Sequence, residues 1–278
     1  MRRASTPWSA GAGSRREGAS PPDVPRAAVT PADAAAAFGA GIAAGTINTV
    51  VGSGTLITFP VLLGLGYGPL VANVSNSIGL VPGGVSGVIG YRSELRGQAR
   101  RVLVLSVFAL IGGLIGAALL LELPVSDFRH AVPALILAAC ALVLVQPVLR
   151  KVLPYRDRES GPLSRWGLRA GSLAVAVYGG YFGAAQGVIL ISVLGLALRD
   201  TLQRLNAVKN VLTLMANAAA GVVFAVVAPV SWPVAAAIAA GSILGGTLGA
   251  RIGKRLSPAV LRGVVVTVGL VAAIRLLA

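Results

Sequence analysis

Carboxylates are scarce in this 278-residue chain, and none lies inside an apolar run. The nine acids are Glu17, Asp23, Asp33, Glu94, Glu122, Asp127, Asp157, Glu159 and Asp200, all in a polar tail, in loops or at segment ends. No paired aspartates are therefore available at depth to hold Mg²⁺ for prenyl or phosphate transfer, and a cation pump built on buried carboxylates is disfavoured. The single histidine, His130, stands at a segment end, which excludes a Ser-His-Asp triad and a multi-histidine metal site. The single cysteine, Cys140, lies within an apolar run, so there is no disulfide framework and no cysteine metal site. It reads as a core filler. Charged residues make up 12% of the chain, against about 25% in an ordinary soluble domain. Neither an enzyme nor a cofactor is expected.

What the chain has instead is apolar surface. It is 55% hydrophobic with a mean hydropathy of +0.82. Apolar runs fall at approximately 34–51, 54–66, 71–90, 102–121, 129–149, 167–182, 186–198, 207–228, 231–250 and 260–277. Many approach the roughly 20 residues needed to cross about 30 Å of hydrocarbon. No ten-residue alternating strands of a membrane β-barrel are visible. The expected class is an all-α polytopic membrane protein.

The formal charge of +15 could suggest nucleic acid, but the basic residues cluster between the apolar runs. Arg92, Arg96, Arg100 and Arg101 form one cluster, Arg150 to Arg169 a second, and Arg251, Lys254 and Arg255 a third. Such clusters orient membrane proteins with basic loops in the cytoplasm. The expected partners are a lipid bilayer and a small anionic substrate, not nucleic acid. The expected location is a membrane crossed many times, with the basic loops on its cytoplasmic side.

Residues 1–33 are rich in Arg, Ser, Pro and Gly without an apolar core and read as a disordered basic tail. Beyond it the two halves repeat. A shift of 131 residues places Gly52 on Gly183 and Gly64 on Gly195; a shift of 133 places Asn73 on Asn206, Gly112 on Gly245 and Arg129 on Arg262. The expected layout is a first transmembrane repeat over 34–150, a cytoplasmic linker over 151–166 and a second repeat over 167–278. Basic loop 91–101 corresponds to an uncharged loop near Ala228–Ser231, whereas the acidic loop after 121 corresponds to the basic stretch 251–258. Equivalent loops on opposite sides are the mark of inverted-topology repeats. This layout puts the N-terminal tail outside, although it carries five arginines. The short pairs 34–51 with 54–66, and 167–182 with 186–198, could each be two thin crossings or a hairpin.

The stretch Gly45 to Pro60 interrupts its apolar run with Asn48, Gly52, Ser53, Gly54 and Thr55. Backbone freed at membrane depth needs partners or a water-lined cavity, so broken helices of this kind usually line a substrate site. Val177–Ser192 is a weaker twin with Gln186 at its break. Asn73 and Asn76 share one helix face, as do Asn206, Lys209, Asn210 and Asn217. Helices starting after the two breaks would point N-terminal amides inward, where anions bind well. The candidate substrate-binding residues are Asn48, Gly52, Ser53, Gly54, Thr55, Asn73, Asn76, Gln186, Asn206, Lys209 and Asn210. Blander readings stand beside this one. Single Asn and Gln side chains often only bond neighbouring helices. Lys209 could snorkel to the interface. The triplets Gly112/Gly113/Gly116 and Gly245/Gly246/Gly249 read as packing contacts, and Trp166 and Trp232 as interface anchors.

The run Asn48-Thr49-Val50-Val51-Gly52-Ser53-Gly54-Thr55-Leu56-Ile57-Thr58-Phe59-Pro60, then Leu62-Leu63-Gly64 and Ala72-Asn73 with Asn76, resembles the sulfite exporter family named for its taurine and sulfoacetate members (TauE/SafE). Gly183-Ala184-Ala185-Gln186-Gly187 and Leu205-Asn206-Ala207-Val208-Lys209-Asn210 look similar to that family's second copy. The resemblance spans roughly 34–277. It implies a bacterial inner-membrane transporter exporting small sulfur-containing anions such as sulfite or sulfonates. Many members have a denser glycine run than Gly52-Ser53-Gly54-Thr55 or Ala184-Ala185. The alternatives are a divalent metal or other small-solute permease, against which the lack of buried acid, His or Met ligands counts, and a non-transporting membrane scaffold.

Overall fold

A computed structural model describes residues 29–152, 162–252 and 258–277. The described residues form ten helices and no strand: α1 Pro31–Val50, α2 Thr55–Gly64, α3 Pro69–Gly90, α4 Ala99–Glu122, α5 Val125–Val152, α6 Pro162–Tyr181, α7 Gln186–Ala197, α8 Leu202–Val227, α9 Trp232–Ile252 and α10 Pro258–Leu277. Each apolar run has its helix. Most of the tail (1–28) and most of the linker (153–161) lie outside the described residues.

α1 and α8 begin earlier than their apolar runs because polar caps, not apolar residues, start them. The Thr30 hydroxyl accepts from the Asp33 amide at 3.1 Å while the Asp33 carboxylate accepts from the Thr30 amide at 3.2 Å, with Pro31 in the first turn. This reciprocal box satisfies two end amides and moves the start of α1 into the expected tail. Pro69 opens α3, and the Thr201 hydroxyl caps α8 by accepting from the Arg204 amide at 3.4 Å.

α4, Val125–Val145 of α5, α8 and α9 are long and apolar enough to cross a membrane. Leu103, Val107, Leu114 and Ile115 of α4 and Leu244 and Leu248 of α9 lie exposed on the outside. In water that surface would associate; in a bilayer it meets acyl chains. The chain is an all-α multi-pass membrane protein. Trp166 and Trp232 stand exposed at helix starts, where their amphipathic rings suit the interface.

Small residues set the packing. A side chain at Gly241 would strike the Phe38 carbonyl, one at Gly245 that of Ile42, and one at Gly249 that of Thr46. α1 and α9 therefore run parallel with their backbones in contact. α3 also runs parallel to α9, with Gly79 against Ile238, Gly83 against Ser242 and Gly90 against Ala250. α4 and α6 repeat the arrangement, with Gly112 on Leu173 and Gly116 on Val177. α3 and α8 cross in opposite directions, because Gly84 faces Leu214 while Gly221 faces Ile78. The pairings also match when the first five helices are exchanged for the last five: α1 on α9 answers α6 on α4, and α3 on α9 answers α8 on α4. Cys140 is buried against Gly269, a filler as the sequence indicates.

One polar clasp holds loops together outside the apolar layer. Asp200, between α7 and α8, accepts from Arg101 at 3.0 Å and Arg204 at 2.7 Å, while Arg204 also donates to the Arg96 carbonyl at 3.2 Å.

Candidate functional site

Both helix breaks are built the same way. At the end of α1 the Val51 and Gly52 amides both donate to the Ile47 carbonyl, at 2.7 and 3.0 Å, and Gly52 takes a φ of +91°. At the end of α6 the Phe182 and Gly183 amides donate to the Tyr178 carbonyl, at 2.9 and 3.1 Å, with Gly183 at φ +76°. Glycine reaches this left-handed region without Cβ strain, which is why a helix can stop here inside a membrane without leaving its last carbonyls bare. The copies then diverge. Gly54 stays right-handed, whereas Ala185 is left-handed at φ 59°. The Tyr178 hydroxyl donates to the Ala184 carbonyl at 2.6 Å and holds that turn.

The breaks meet each other. The Gly187 amide, in the first turn of α7, donates to the Gly52 carbonyl at 2.9 Å. The backbones lie so close that a Cβ on either glycine would stand 2.5 Å from the other's Cα. This bears on the expectation that N-terminal amides of α2 and α7 point inward, because several of them already have backbone partners. Leu56 and Ile57 donate to Ser53 and Gly54, Val188 donates to Ala185, and Gly187 donates across to Gly52. A dry interior makes such pairing nearly obligatory.

Side chains from α8 close the end of α1. Lys209, 1% exposed, donates through Nζ to the carbonyls of Asn48 at 2.9 Å and Thr49 at 3.4 Å. Asn206 and Asn210 donate to the same Thr49 carbonyl at 3.0 and 3.3 Å. The carbonyl end of a helix carries partial negative charge and stabilises a cation there. Lys209 is thus anchored inward and does not snorkel. Asn73 of α3 does the matching work at the other break, donating to the Tyr181 carbonyl at 2.9 Å. Asn76, at the position that corresponds to Lys209, turns instead to α2: it donates to the Thr55 hydroxyl at 3.3 Å and accepts from the Thr58 hydroxyl.

The eleven candidates therefore form neighbouring groups. Asn48, Asn206, Lys209 and Asn210 gather at the end of α1; Thr55 and Asn76 pair beside α2; Asn73 stands at the end of α6; Gly52 forms the crossing. Gly54 is pressed against the Ala44 carbonyl, and the Gln186 side chain fills the space over Gly179. Among the described residues, the Ser53 hydroxyl, the Asn73 amide oxygen and both polar atoms of the Gln186 amide are buried with no hydrogen-bond partner. Such atoms are uncommon in folded proteins, so a group of them around two breaks is a reserve of unused bonding capacity. Asn48, Thr49, Asn210, Thr213 and Asn217 also line a recess against Leu80 and Gly84 of α3. Its interior has room for about one water. A solute of several heavy atoms does not fit in this recess.

Four contributors escaped the sequence reading of the site. Gly187 forms the crossing bond, Thr58 completes the Asn76 pair, Thr213 lines the recess, and Tyr178 braces the second break. The three-residue spacing of Thr55 and Thr58 on one helix face was the available signal for Thr58.

The family described as Sulfite exporter TauE/SafE matches residues 37–276, which take in both breaks and α2 to α9 whole. The chain belongs to the TauE/SafE family. It is thus a multi-pass member of a family of membrane transporters. It is also similar to a "Probable membrane transporter protein" of Haemophilus influenzae (strain ATCC 51907 / DSM 11121 / KW20 / Rd), 27% identical over 188 residues, 67% of this chain and 72% of the relative. No solved structure matches the chain. In this TauE/SafE protein, the glycine-rich runs that carry the family resemblance are the two chain segments that touch at Gly52 and Gly187.

Proposed function

We propose that the chain is a secondary transporter that exports small sulfur-containing anions, sulfite or organosulfonates, across the inner membrane. The observation that carries this reading is Lys209, a buried ammonium within reach of Asn48, Asn206 and Asn210 where the helix breaks meet. A lysine in an apolar interior is costly to keep and marks a solute path by default. The Ser53 hydroxyl and the Gln186 amide add donors of the kind an oxyanion accepts from. The anion would be held by Asn48, Ser53, Thr55 and Gln186 at the breaks, with Lys209 supplying charge and Asn73, Asn76, Asn206 and Asn210 donating around it.

The antiparallel crossing of α3 and α8 and the exchange-matched pairings support reading the chain as two inverted repeats. One bundle moving against the other would open the recess to either side. The basic loops are placed in the cytoplasm by the charge rule. With no carboxylate inside an apolar run to carry protons, a negative-inside potential drives anion export at about 2.3 kcal/mol per charge per 100 mV, or a proton travels on the substrate.

The test is efflux from vesicles loaded with sulfite, sulfonates and thiosulfate, comparing wild type with Lys209→Ala and Asn48→Ala. Loss of a charge-assisted hydrogen bond is worth about 1.5–3 kcal/mol, so roughly tenfold or greater slowing is expected for Lys209→Ala. Equal efflux by all three proteins, well above empty vesicles, refutes the site. No efflux of any sulfur anion by wild type refutes the function.

A further inference from the structure

The ends of α3 and α9 lie side by side on the face that carries the Arg92–Arg101 loop. A side chain at Gly90 would overlap Ala250, and the Ser86 hydroxyl donates to the Ile243 carbonyl at 3.1 Å. Beside that contact lies a cleft of about 590 Å³ lined by both chain segments. Arg92, Arg96 and Arg251 line it together with Ser93 and Thr247, and among the described residues no carboxylate does. Three guanidinium groups from two separate chain segments thus face one space.

Beside the arginines the cleft continues onto apolar side chains. Ile89 lines it, and Val85 lies one turn further along the same face of α3. On α9, Ile243, Thr247 and Arg251 follow at four-residue steps, which puts Ile243 in line with two cleft residues, again on the side away from the arginines. Val85, Ile89 and Ile243 are 43%, 55% and 44% exposed, so this apolar strip faces outward and not into the core. A free phosphate would use the arginines and leave the strip idle. A diacyl phospholipid uses both: guanidinium pairs phosphate oxygens through two parallel hydrogen bonds, and acyl chains cover the strip.

We propose that this cleft binds the headgroup of an anionic phospholipid, with its phosphate on Arg92, Arg96 and Arg251 and its chains along Val85, Ile89 and Ile243. Basic recesses between membrane helices suit such headgroups. The lipid bridges α3 and α9, one helix from each half of the chain, and so braces the seam between them. This site is separate from the Lys209 cluster and does not depend on which solute is carried.

The test uses full-length protein in nanodiscs or detergent, titrated with phosphatidylglycerol or phosphatidylcholine and read by native mass spectrometry and thermal melting. Wild type is expected to retain phosphatidylglycerol at least tenfold more tightly and to melt higher with it. Arg92→Gln and Arg251→Gln are each expected to weaken that binding about tenfold, whereas Arg100→Gln, which removes an equal charge outside the cleft, leaves it unchanged. Equal retention of both lipids by wild type overturns the proposal without any variant. An equal loss in Arg100→Gln overturns it as general surface electrostatics, and displacement of the lipid by millimolar inorganic phosphate overturns it in favour of a free-phosphate site.

Discussion

The Gly187 amide and the Gly52 carbonyl, 2.9 Å apart, tie the start of the short helix α7 to the break after α1. This one bond makes two local irregularities into a single central feature. Each break has a glycine where the chain turns, and where the breaks meet Gly52 and Gly187 leave each other no space for a side chain. Gly52→Ala and Gly187→Ala therefore test different physics. Alanine at 52 meets both a left-handed backbone, costing about 1–2 kcal/mol, and a backbone clash. Alanine at 187 meets the clash alone. Both are expected to lower the melting temperature and abolish transport, Gly52→Ala more severely; unchanged melting and efflux in either would dissociate the crossing from function.

Asn73 and Asn206 occupy corresponding positions but guard their carbonyls differently. The Thr49 carbonyl that Asn206 serves also accepts from Lys209 and Asn210, whereas at the Tyr181 carbonyl the structure shows the Asn73 amide as a side-chain donor. Removing a donor from a buried acceptor costs about 1–3 kcal/mol when nothing replaces it. Asn73→Ala should destabilise by that amount and Asn206→Ala by clearly less, as measured by thermal or denaturant unfolding in detergent. The reverse order would show that the α8 cluster, not the α3 asparagine, is the weaker point.

Asp200 ties α4 to α8 outside the apolar layer. Burial pushes its carboxyl up, but hydrogen bonds from Arg101, the Thr201 amide and Arg204, with the Arg204 charge, more than offset this and hold it below the usual carboxylate range. A folded pKa below the unfolded one means stability that is fully present above about pH 3.9 and is lost as pH falls through the folded value. Wild type is expected to be more stable than Asp200→Asn at neutral pH, and the gap should close in acid. Melting curves of the two from pH 7 to pH 3 check this; a gap constant with pH would assign the difference to packing.

Two glycines separate packing from propensity. Gly245 has no space for a Cβ, since the Ile42 carbonyl occupies it, whereas Gly263 has no neighbour within 4 Å. Gly245→Ala should pry α9 from α1 and lower the melting temperature by several degrees. Gly263→Ala should be neutral or stabilising, by up to about 1 kcal/mol from helix propensity. Equal effects would show that α1 and α9 do not pack through their backbones as described.

Apolar length and polar interruption were legible without coordinates. Ten runs became ten helices because a bilayer leaves the backbone few alternatives, and the periodic patterning that fixes helices is local. Gly52 and Gly183 stood out for the same reason: only glycine turns the chain so cheaply, wherever it ends up in space. The starts at Thr30 and Thr201 were missed because caps are polar and lie outside the apolar runs. What the tertiary structure alone decided is who meets whom. That Gly187 bonds Gly52, that Lys209 turns inward to Asn48 and Thr49, and that Arg251 joins Arg92 across the α3–α9 seam are contacts between distant parts of the chain. No local pattern encodes them. They depend on small residues that let particular helices approach to backbone contact, and that complementarity exists only once both surfaces are formed.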